Sequence, residues 1–374
     1  MLRSEISTSH EGTVPVAVRR GGSRGDLEAG SRADVSRGAT IYDVAREAGV
    51  ATSTVSRAFS NPDRVNALTR EHVEDVAQRL GYAPNPLARA LHSGRTRTAA
   101  LLVPDITNPH FFGIIRGAER RANTAGFTLV LVETEESGER EARHVERLTR
   151  GVDGFVLASS RMPSRVIREM GRSHLLSLVN REVSGVTSTV VDPADGSRQI
   201  VEHLHSLGHR SLVYLSGPRT SWLGARRWRF LSTSARRLHM RATRLGPFPP
   251  ATYGGSPAAD AGLGTGATAL VAHNDLLAIG VLNRLATRGV SVPTDVSVVG
   301  YDNIFGSDFC SPPLTTVAGP FERAGASAVE LLLASLETRN RTGAPRFVSL
   351  PSHLVVRASS GPPGRATTAS RASE

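Results

Sequence analysis

Short amphipathic windows follow one another from Thr40 to about Leu91 with no strand-like alternation, and this predicts a compact helical head. From Thr98 the pattern changes. Apolar runs such as Ala99-Ala-Leu-Leu-Val103 and Phe127-Thr-Leu-Val-Leu-Val132 alternate with helical windows, the signature of βαβ units and a mostly parallel sheet. Further strands are predicted at Gly154 to Ala158, Leu175 to Val179, Thr187 to Val191, Ser211 to Leu215, Thr268 to Ala272 and Val296 to Gly300. The series is too long for one doubly wound sheet, so two α/β lobes are expected. The ends differ: residues 1–38 are rich in Gly, Ser and Arg without periodicity and residues 359–374 in Pro, Gly, Ser and Arg, so both read as disordered tails, with a misassigned start codon an equal alternative for 1–38.

Punctuation within the head is specific. Thr40 reads as a helix N-cap with Asp43 three residues on, where its charge favours the helix start. Ala48-Gly-Val50 makes a small-residue turn, and Thr52-Ser-Thr-Val-Ser-Arg57 supplies a second short helix. If this pair is a helix-turn-helix, the second helix lies in the major groove and offers Thr52, Ser53 and Arg57 to base edges, while Val55 and Ala58 face the core. A third helix is predicted from the Asn66 cap to about Leu80, ending at Gly81 in a left-handed turn. Taken alone, a helical hairpin is as readily a packing motif as a DNA reader. The next segment, Tyr82 to Arg97, puts Asn85 at an N-cap, Pro86 at the first helical position and three arginines beyond, with no acidic residue among them. It can meet phosphates.

Composition narrows the function. The chain has 374 residues and a formal charge of +11, which raises the expectation of a polyanionic partner. All its side-chain cations other than histidine are arginine; the absence of lysine removes Schiff-base, P-loop and kinase-type lysine chemistry. The single Cys310 forms neither an intrachain disulfide nor a multi-thiolate zinc site. No run approaches the roughly 20 apolar residues of a membrane helix, and residues 1–38 hold no apolar signal-peptide core, so a cytoplasmic location is expected. His203, His205 and His209 have no evident carboxylate or thiolate to complete a metal shell, and no metal is expected. Gly262-Leu-Gly-Thr-Gly266 precedes a strand and lacks the strand-turn-helix context of a dinucleotide loop. No Gly-x-Ser-x-Gly elbow is present, and neither enzyme activity nor a cofactor is expected.

The Thr40 to Arg57 block, Gly81-Tyr-Ala-Pro-Asn-Pro-Leu-Ala-Arg-Ala-Leu91, Val103-Pro-Asp-Ile-Thr-Asn-Pro109, His203 to Arg210, Asn274-Asp275, Val296 to Asp302 and Pro312-Pro-Leu-Thr-Thr316 together resemble the lactose repressor/galactose repressor (LacI/GalR) family of bacterial regulators. The resemblance spans residues 39–358. It implies an all-α helix-turn-helix head (39–84), a hinge helix and linker (85–97), and a two-lobed, periplasmic-binding-protein-like α/β sensing and dimerisation domain (98–358). The first lobe is expected to comprise 98–192 and 316–338, the second 194–314 and 346–357.

By the same resemblance, Thr52, Ser53 and Arg57 contact bases, Thr40 and Tyr42 contact the DNA backbone, and Asn85, Ala88 and Leu91 belong to the hinge, with Leu91 wedged into the minor groove. Ala51 departs from the usual serine and weakens the cap of the reading helix by an expected ~1 kcal/mol unless Thr52 or Ser53 substitutes. The resemblance assigns the effector to Asn108, His110, Phe111, Asn180 and Arg181 in the first lobe and to Trp222, Arg226, Asn274 and Asp302 in the second. An aromatic face with a carboxylate and a guanidinium suits a polyhydroxylated ligand, a sugar or a nucleoside. Trp222 and Phe111 have an alternative place in the core, and Asn274, Asp275 and Asp302 as helix caps. Arg219 to Arg244 carries eight arginines and no acid, mostly a solvated helix face, with Arg229 at a position where the family has glycine. Pro257, Gly262, Gly264 and Gly266 predict a short or frayed helix over 256–266. The expected function is a homodimeric, allosteric repressor that binds operator DNA under control of a small-molecule effector. The alternative is a two-lobed solute-binding protein without a DNA role.

Overall fold

The computed structural model describes residues 39–60, 62–82, 95–337 and 345–364. Residues up to 38 and beyond 364, and the hinge residues Asn85, Ala88 and Leu91, lie outside them; the start of the expected 359–374 tail is instead packed in the second lobe, where buried Ser359 accepts from the Thr315 N–H at 2.8 Å and donates to the Val298 carbonyl at 2.6 Å. The chain divides into two compact units, Met1–Pro84 and Asn85–Glu374.

The first unit is three helices: α1 (Ile41–Glu47), α2 (Thr52–Ser60) and α3 (Ala67–Arg79). Its core is small, built from Val44, Ala45 and Ala48 of the first helix, Val55 and Ala58 of the second, and Val73, Val76 and Ala77 of the third. The ends are fixed by side chains. Asp43 accepts from both the backbone N–H and the hydroxyl of Thr40, at 2.9 and 2.6 Å, and Asn66 accepts from the Leu68 N–H at 3.0 Å. Gly49 and Gly81 both take φ +63°, a conformation that disfavours any side chain, and so turn the chain after α1 and α3.

The second unit carries two six-stranded sheets. In the first, β1 (Thr98–Val103), α4 (His110–Thr124), β2 (Thr128–Glu133), α5 (Gly138–Leu148), β3 (Gly154–Ala158), α6 (Ser164–Ser173), β4 (Leu176–Val179) and β5 (Thr187–Val191) follow in order. The chain then crosses into the second lobe: α7 (Pro193–Ser206), β6 (Ser211–Leu215), α8 (Trp222–Arg237), β7 (Arg241–Leu245), α9 (Gly255–Leu263), β8 (Ala269–Ala272), α10 (Asp275–Thr287), β9 (Ser297–Tyr301) and β10 (Thr315–Ala318). It returns through α11 (Phe321–Glu337) and β11 (Phe347–Leu350), and crosses once more into β12 (His353–Val355). The sheet orders are β11-β5-β4-β3-β1-β2 and β12-β10-β9-β8-β6-β7, parallel throughout except for the β10–β12 pair.

These pairings correct the expected lobe limits near the C-terminus. Residues 315–318 hydrogen-bond to β9 and belong to the second lobe, while 347–350 bond to β5 and belong to the first. Gly319 is one crossing; a Cβ there would lie 2.5 Å from the Val191 side chain, so this strand and the 191–193 crossing run in close contact. The third crossing is tied to the first: the Ser352 hydroxyl donates to the Asp192 carbonyl at 2.6 Å and accepts from the Gly196 N–H at 3.3 Å.

Glycine serves packing at two helix crossings. A Cβ on Gly117 of α4 would sit 1.8 Å from the Glu322 carbonyl oxygen, and one on Gly325 of α11 would sit 2.0 Å from that of Ile114, so these helices touch backbone to backbone. In the second lobe the helix expected to fray is formed over Gly255–Leu263. Gly255 abuts Gly280 of α10 so closely that its Cβ would lie 2.1 Å from that backbone, and the contact repays the low helix propensity.

Asp275 anchors the end of β9. Its buried carboxylate accepts from the Ile304 N–H (3.0 Å) and the hydroxyls of Ser307 (2.7 Å) and Thr316 (2.6 Å); burial, and then the nearby Asp302 charge, push its pKa up to about 7. His209 does similar work at the opposite end of the strands, bonding Thr268, Ser297 and the Gly361 carbonyl at 2.8 to 3.1 Å and pinning the C-terminal segment.

The α4–α11 crossing yields a test. Gly117→Ala is expected to lower the unfolding free energy of the second unit by ~2 kcal/mol or more, because the obstacle is backbone and cannot rotate away. Urea unfolding checks it against Gly185→Ser, where φ is +85° but nothing lies within 4 Å of the added Cβ.

Candidate functional site

In the head, Val55 and Ala58 are buried against α1 and α3, which sends Ser53 and Arg57 to the outer face of α2 and leaves Thr52 half-buried. The arrangement follows from helical periodicity: positions 55 and 58 share one face and 53 and 57 the other. Tyr42 is 69% exposed at the start of α1, an aromatic ring with no role in the core. Together these present a polar, singly charged strip. Ala51 supplies no side-chain oxygen to the start of α2; its carbonyl accepts from Thr54 and Val55 at 2.8 and 3.2 Å.

In the second unit, the C-terminal ends of the parallel strands face each other across a cleft with about 390 Å³ of unfilled space, some of it open to solvent. Open α/β sheets place ligands at such ends. Six residues just past strand ends take positive φ without being glycine: Glu135 (+49°), Glu136 (+57°), Ser159 (+49°), Asn180 (+54°), Asp302 (+109°) and Asn303 (+49°). Backbone held in this region collects at binding sites because it aims side chains that regular strands would turn elsewhere.

The second lobe contributes a buried ion pair. Arg227 Nη2 donates to Asp302 Oδ1 at 2.6 Å, its Nη1 donates to the His273 carbonyl, and its guanidinium lies 4.4 Å over the Tyr301 ring. Burial works against the guanidinium charge, but the Asp302 carboxylate together with Tyr214 and Tyr301 outweighs it, and the guanidinium holds its proton more firmly than usual. His273 is buried beside this pair, with Nδ1 3.1 Å from the Tyr214 hydroxyl; Gly217 and Gly224 leave the space its ring fills. Burial first, and then the Arg227 charge, push its pKa well below the ordinary histidine range, so the ring is neutral.

From the first lobe, His110 reaches across with Nδ1 3.4 Å from Asp302 Oδ1, and its ring meets Phe111 and Phe321 edge-on at 4.9 and 4.5 Å. Burial lowers its pKa too, only partly opposed by Asp302. Arg161 grips Glu136 in two bonds, Nε to Oε2 at 2.5 Å and Nη2 to Oε1 at 3.1 Å. Behind them the Glu141 carboxylate accepts from the Arg161 N–H at 3.0 Å, and burial raises its pKa to about 7.

A model of bacterial regulatory proteins of the lacI family matches residues 40–85, and one of a periplasmic binding protein-like domain matches 201–360. The chain is 31% identical over 334 residues to the HTH-type transcriptional repressor CytR of Escherichia coli K12, covering 86% of this chain and 96% of that protein. The chain belongs to the LacI family. This LacI-family chain is also 30% identical to the transcriptional regulator DegA of Bacillus subtilis, over 86% of its own length and 98% of the relative. Among solved structures, the lac repressor dimer bound to operator and the anti-inducer ONPF superposes with a TM-score of 0.77 at 28% identity, covering 87% of this chain and all of that one. The regulator CelR with cellobiose gives 0.63 at 29% identity, over 86% and 99%. The protein is therefore a DNA-binding transcription regulator with an effector-binding domain, and the relatives it matches are regulators rather than enzymes.

Within this LacI-family cleft, Asn108, His110, Phe111, Asn274 and Asp302 line the cavity. Asn108 and Asn274 also cap helices, accepting from the N–H groups of His110 (3.0 Å) and Leu277 (3.1 Å), and Phe111 is also core. The remaining four stand elsewhere. Asn180 accepts from the Val191 N–H at 3.1 Å, and Arg181 turns back to the Met162 carbonyl and the Ser164 hydroxyl. Trp222 opens α8 outside the cavity lining, and Arg226 stacks 4.8 Å over its ring while approaching Glu182 at 3.8 Å. The expected pocket arginine is thus off by one position: a single step along a helix rotates the side chain by about 100°, and it is Arg227 that enters the cleft. Sequence reasoning also passed over Glu136, Ser159, Arg161 and His273. The one signal for them was position, each lying just beyond a predicted strand.

The contrast between neighbouring arginines is measurable. Arg227→Ala leaves Asp302 buried and unpaired and is expected to cost about 3–5 kcal/mol in urea unfolding, whereas Arg226→Ala, at a half-exposed and loosely paired site, costs under about 1 kcal/mol. Equal losses contradict the assignment.

Proposed function

We propose that the protein is an operator-specific repressor whose DNA affinity is set by a sugar or nucleoside bound between the lobes of the second unit. The observation that carries this reading is the cleft itself: a buried Arg227–Asp302 pair from one lobe, His110 from the other, and hydrogen-bonding side chains at strand ends around them. Carboxylate, guanidinium and amide groups converging on a small cavity suit the vicinal hydroxyls of a furanose or pyranose ring. Two solved relatives support the class: CelR is a cellobiose complex, and a LacI-family regulator from Enterococcus faecalis V583, 29% identical with a TM-score of 0.63 and 71% of this chain covered, holds ribose.

Thr52, Ser53 and Arg57 serve as base readers, Thr40 and Tyr42 as backbone contacts, and Asn85, Ala88 and Leu91 as the hinge, Leu91 being the minor-groove wedge. The protein acts in the cytoplasm as a homodimer, since two heads on two half-sites match a pseudopalindromic operator. The lac repressor structure is a dimer on its operator. Phe305 and Phe309, 78% and 66% exposed and in edge contact at 5.0 Å, are large apolar groups that a second subunit would cover.

Selection of bound sites from random DNA at stated salt, repeated with a panel of sugars and nucleosides, tests the reading. It predicts a two-fold-symmetric site that at least one panel member weakens or strengthens; no enrichment over input overturns it. On the selected site, Arg57→Ala is expected to lose ~1–3 kcal/mol of affinity and to relax preference at one base position, with a smaller loss on random DNA. Equal loss on both reduces Arg57 to a phosphate contact.

A further inference from the structure

We infer that the Glu136–Arg161 pair is a charge filter that restricts the cleft to uncharged hydroxylated effectors and turns away their phosphorylated or carboxylated forms. The inference rests on the reading of the cleft as a sugar or nucleoside site and narrows it to one charge class.

Four formal charges line the cavity, and they cancel in pairs. Arg227 is matched by Asp302 at 2.6 Å and Arg161 by Glu136 through two bonds. The two imidazoles between them, His110 and His273, are buried and neutral. No lining cation among the described residues is left to meet an anion, and an incoming phosphate or carboxylate must either face two carboxylates or break an existing pair. Like-charge juxtaposition in a desolvated cleft is a common way to reject a wrong ligand. A neutral polyol meets no such obstacle, because the outer lone pairs of both carboxylates and the free edges of both guanidiniums still accept and donate hydrogen bonds.

The Glu136 side is built for this rather than incidental. Glu135 and Glu136 are consecutive non-glycine residues with φ of +49° and +57°, an unfavourable turn held by the Glu136 N–H to the Pro104 carbonyl at 3.0 Å. A regular continuation of β2 would carry the carboxylate away from the cleft. Arg161 in turn is held at its backbone, whose N–H donates to the buried Glu141 carboxylate at 3.0 Å, and its side chain is itself buried against Glu136.

The test is calorimetric titration of the purified full chain with matched pairs: ribose and ribose 5-phosphate, glucose and glucuronate, adenosine and cytidine with their 5′-monophosphates. In the wild type the neutral member of a binding pair is expected to bind at least about tenfold more tightly than its anionic counterpart. Glu136→Gln keeps the shape and one acceptor for Arg161 while freeing positive charge, and is expected to narrow that gap about tenfold; a thermal melt close to wild type shows that the variant folds. An anionic member that binds the wild type as tightly as its neutral partner overturns the inference and leaves the sugar or nucleoside reading standing, as does a gap unchanged in Glu136→Gln. If no member of any pair binds, that reading falls and the inference falls with it.

Discussion

Everything around the cleft answers to one constraint, a guanidinium and a carboxylate held together out of water. Removing two charges from solvent costs several kcal/mol for each ion, and their attraction repays it only when the remaining donors and acceptors are also satisfied. Arg227 therefore needs the His273 carbonyl and the Tyr301 ring as well as Asp302, and Asp302 needs a backbone conformation, φ +109°, that lets it turn back toward α8. His273 needs the space left by Gly217 and Gly224. Each requirement falls on the end of a different strand, β6, β8 or β9, so the pair can exist only if the sheet is assembled in its observed order.

The same pair gives the two lobes a reason to communicate. Three stretches of chain cross between them, at 191–193, 318–321 and 350–353, and contacts among these segments tie the crossings together. Across the cleft His110 approaches Asp302. On the proposed reading, a ligand whose hydroxyls bond His110 and Asp302 together would favour, by its higher affinity, the lobe arrangement that brings these groups close. Such a difference is the only means by which a ligand can shift a conformational equilibrium.

Much of this is written locally and could be read that way. Thr40 with Asp43, Asn66, and the left-handed Gly49 and Gly81 specify helix ends through bonds to residues two or three positions away, so the head follows from short-range chemistry. Continuous apolar runs mark the central strands of both sheets for the same reason. Four strands escaped notice where the pattern is weak: β7, Arg241-Ala-Thr-Arg-Leu245, is an edge strand with exposed arginines, β10 is half threonine, and β11 and β12 are only four and three residues long. The lobe exchange of β10 and β11 depends on which sheet edge each meets, a long-range fact with no local signature. The cleft residues Asn108, His110, Asn274 and Asp302 were legible through the family resemblance, but choosing Arg227 over Arg226 needs the phase of a helix set by its packing, and recognising Glu136 needs a turn whose positive φ no residue type announces.

The central claim is that occupancy of the cleft changes the affinity of the head for DNA. The direct measurement is a fluorescence anisotropy titration of a selected operator with the full chain at fixed salt, with and without a saturating ligand whose binding has been shown by calorimetry. Coupling of the usual allosteric size predicts that the operator Kd shifts by about 5- to 150-fold, and that operator DNA shifts the ligand's affinity by the same factor. An operator Kd that stays the same while the cleft is demonstrably filled would contradict the account.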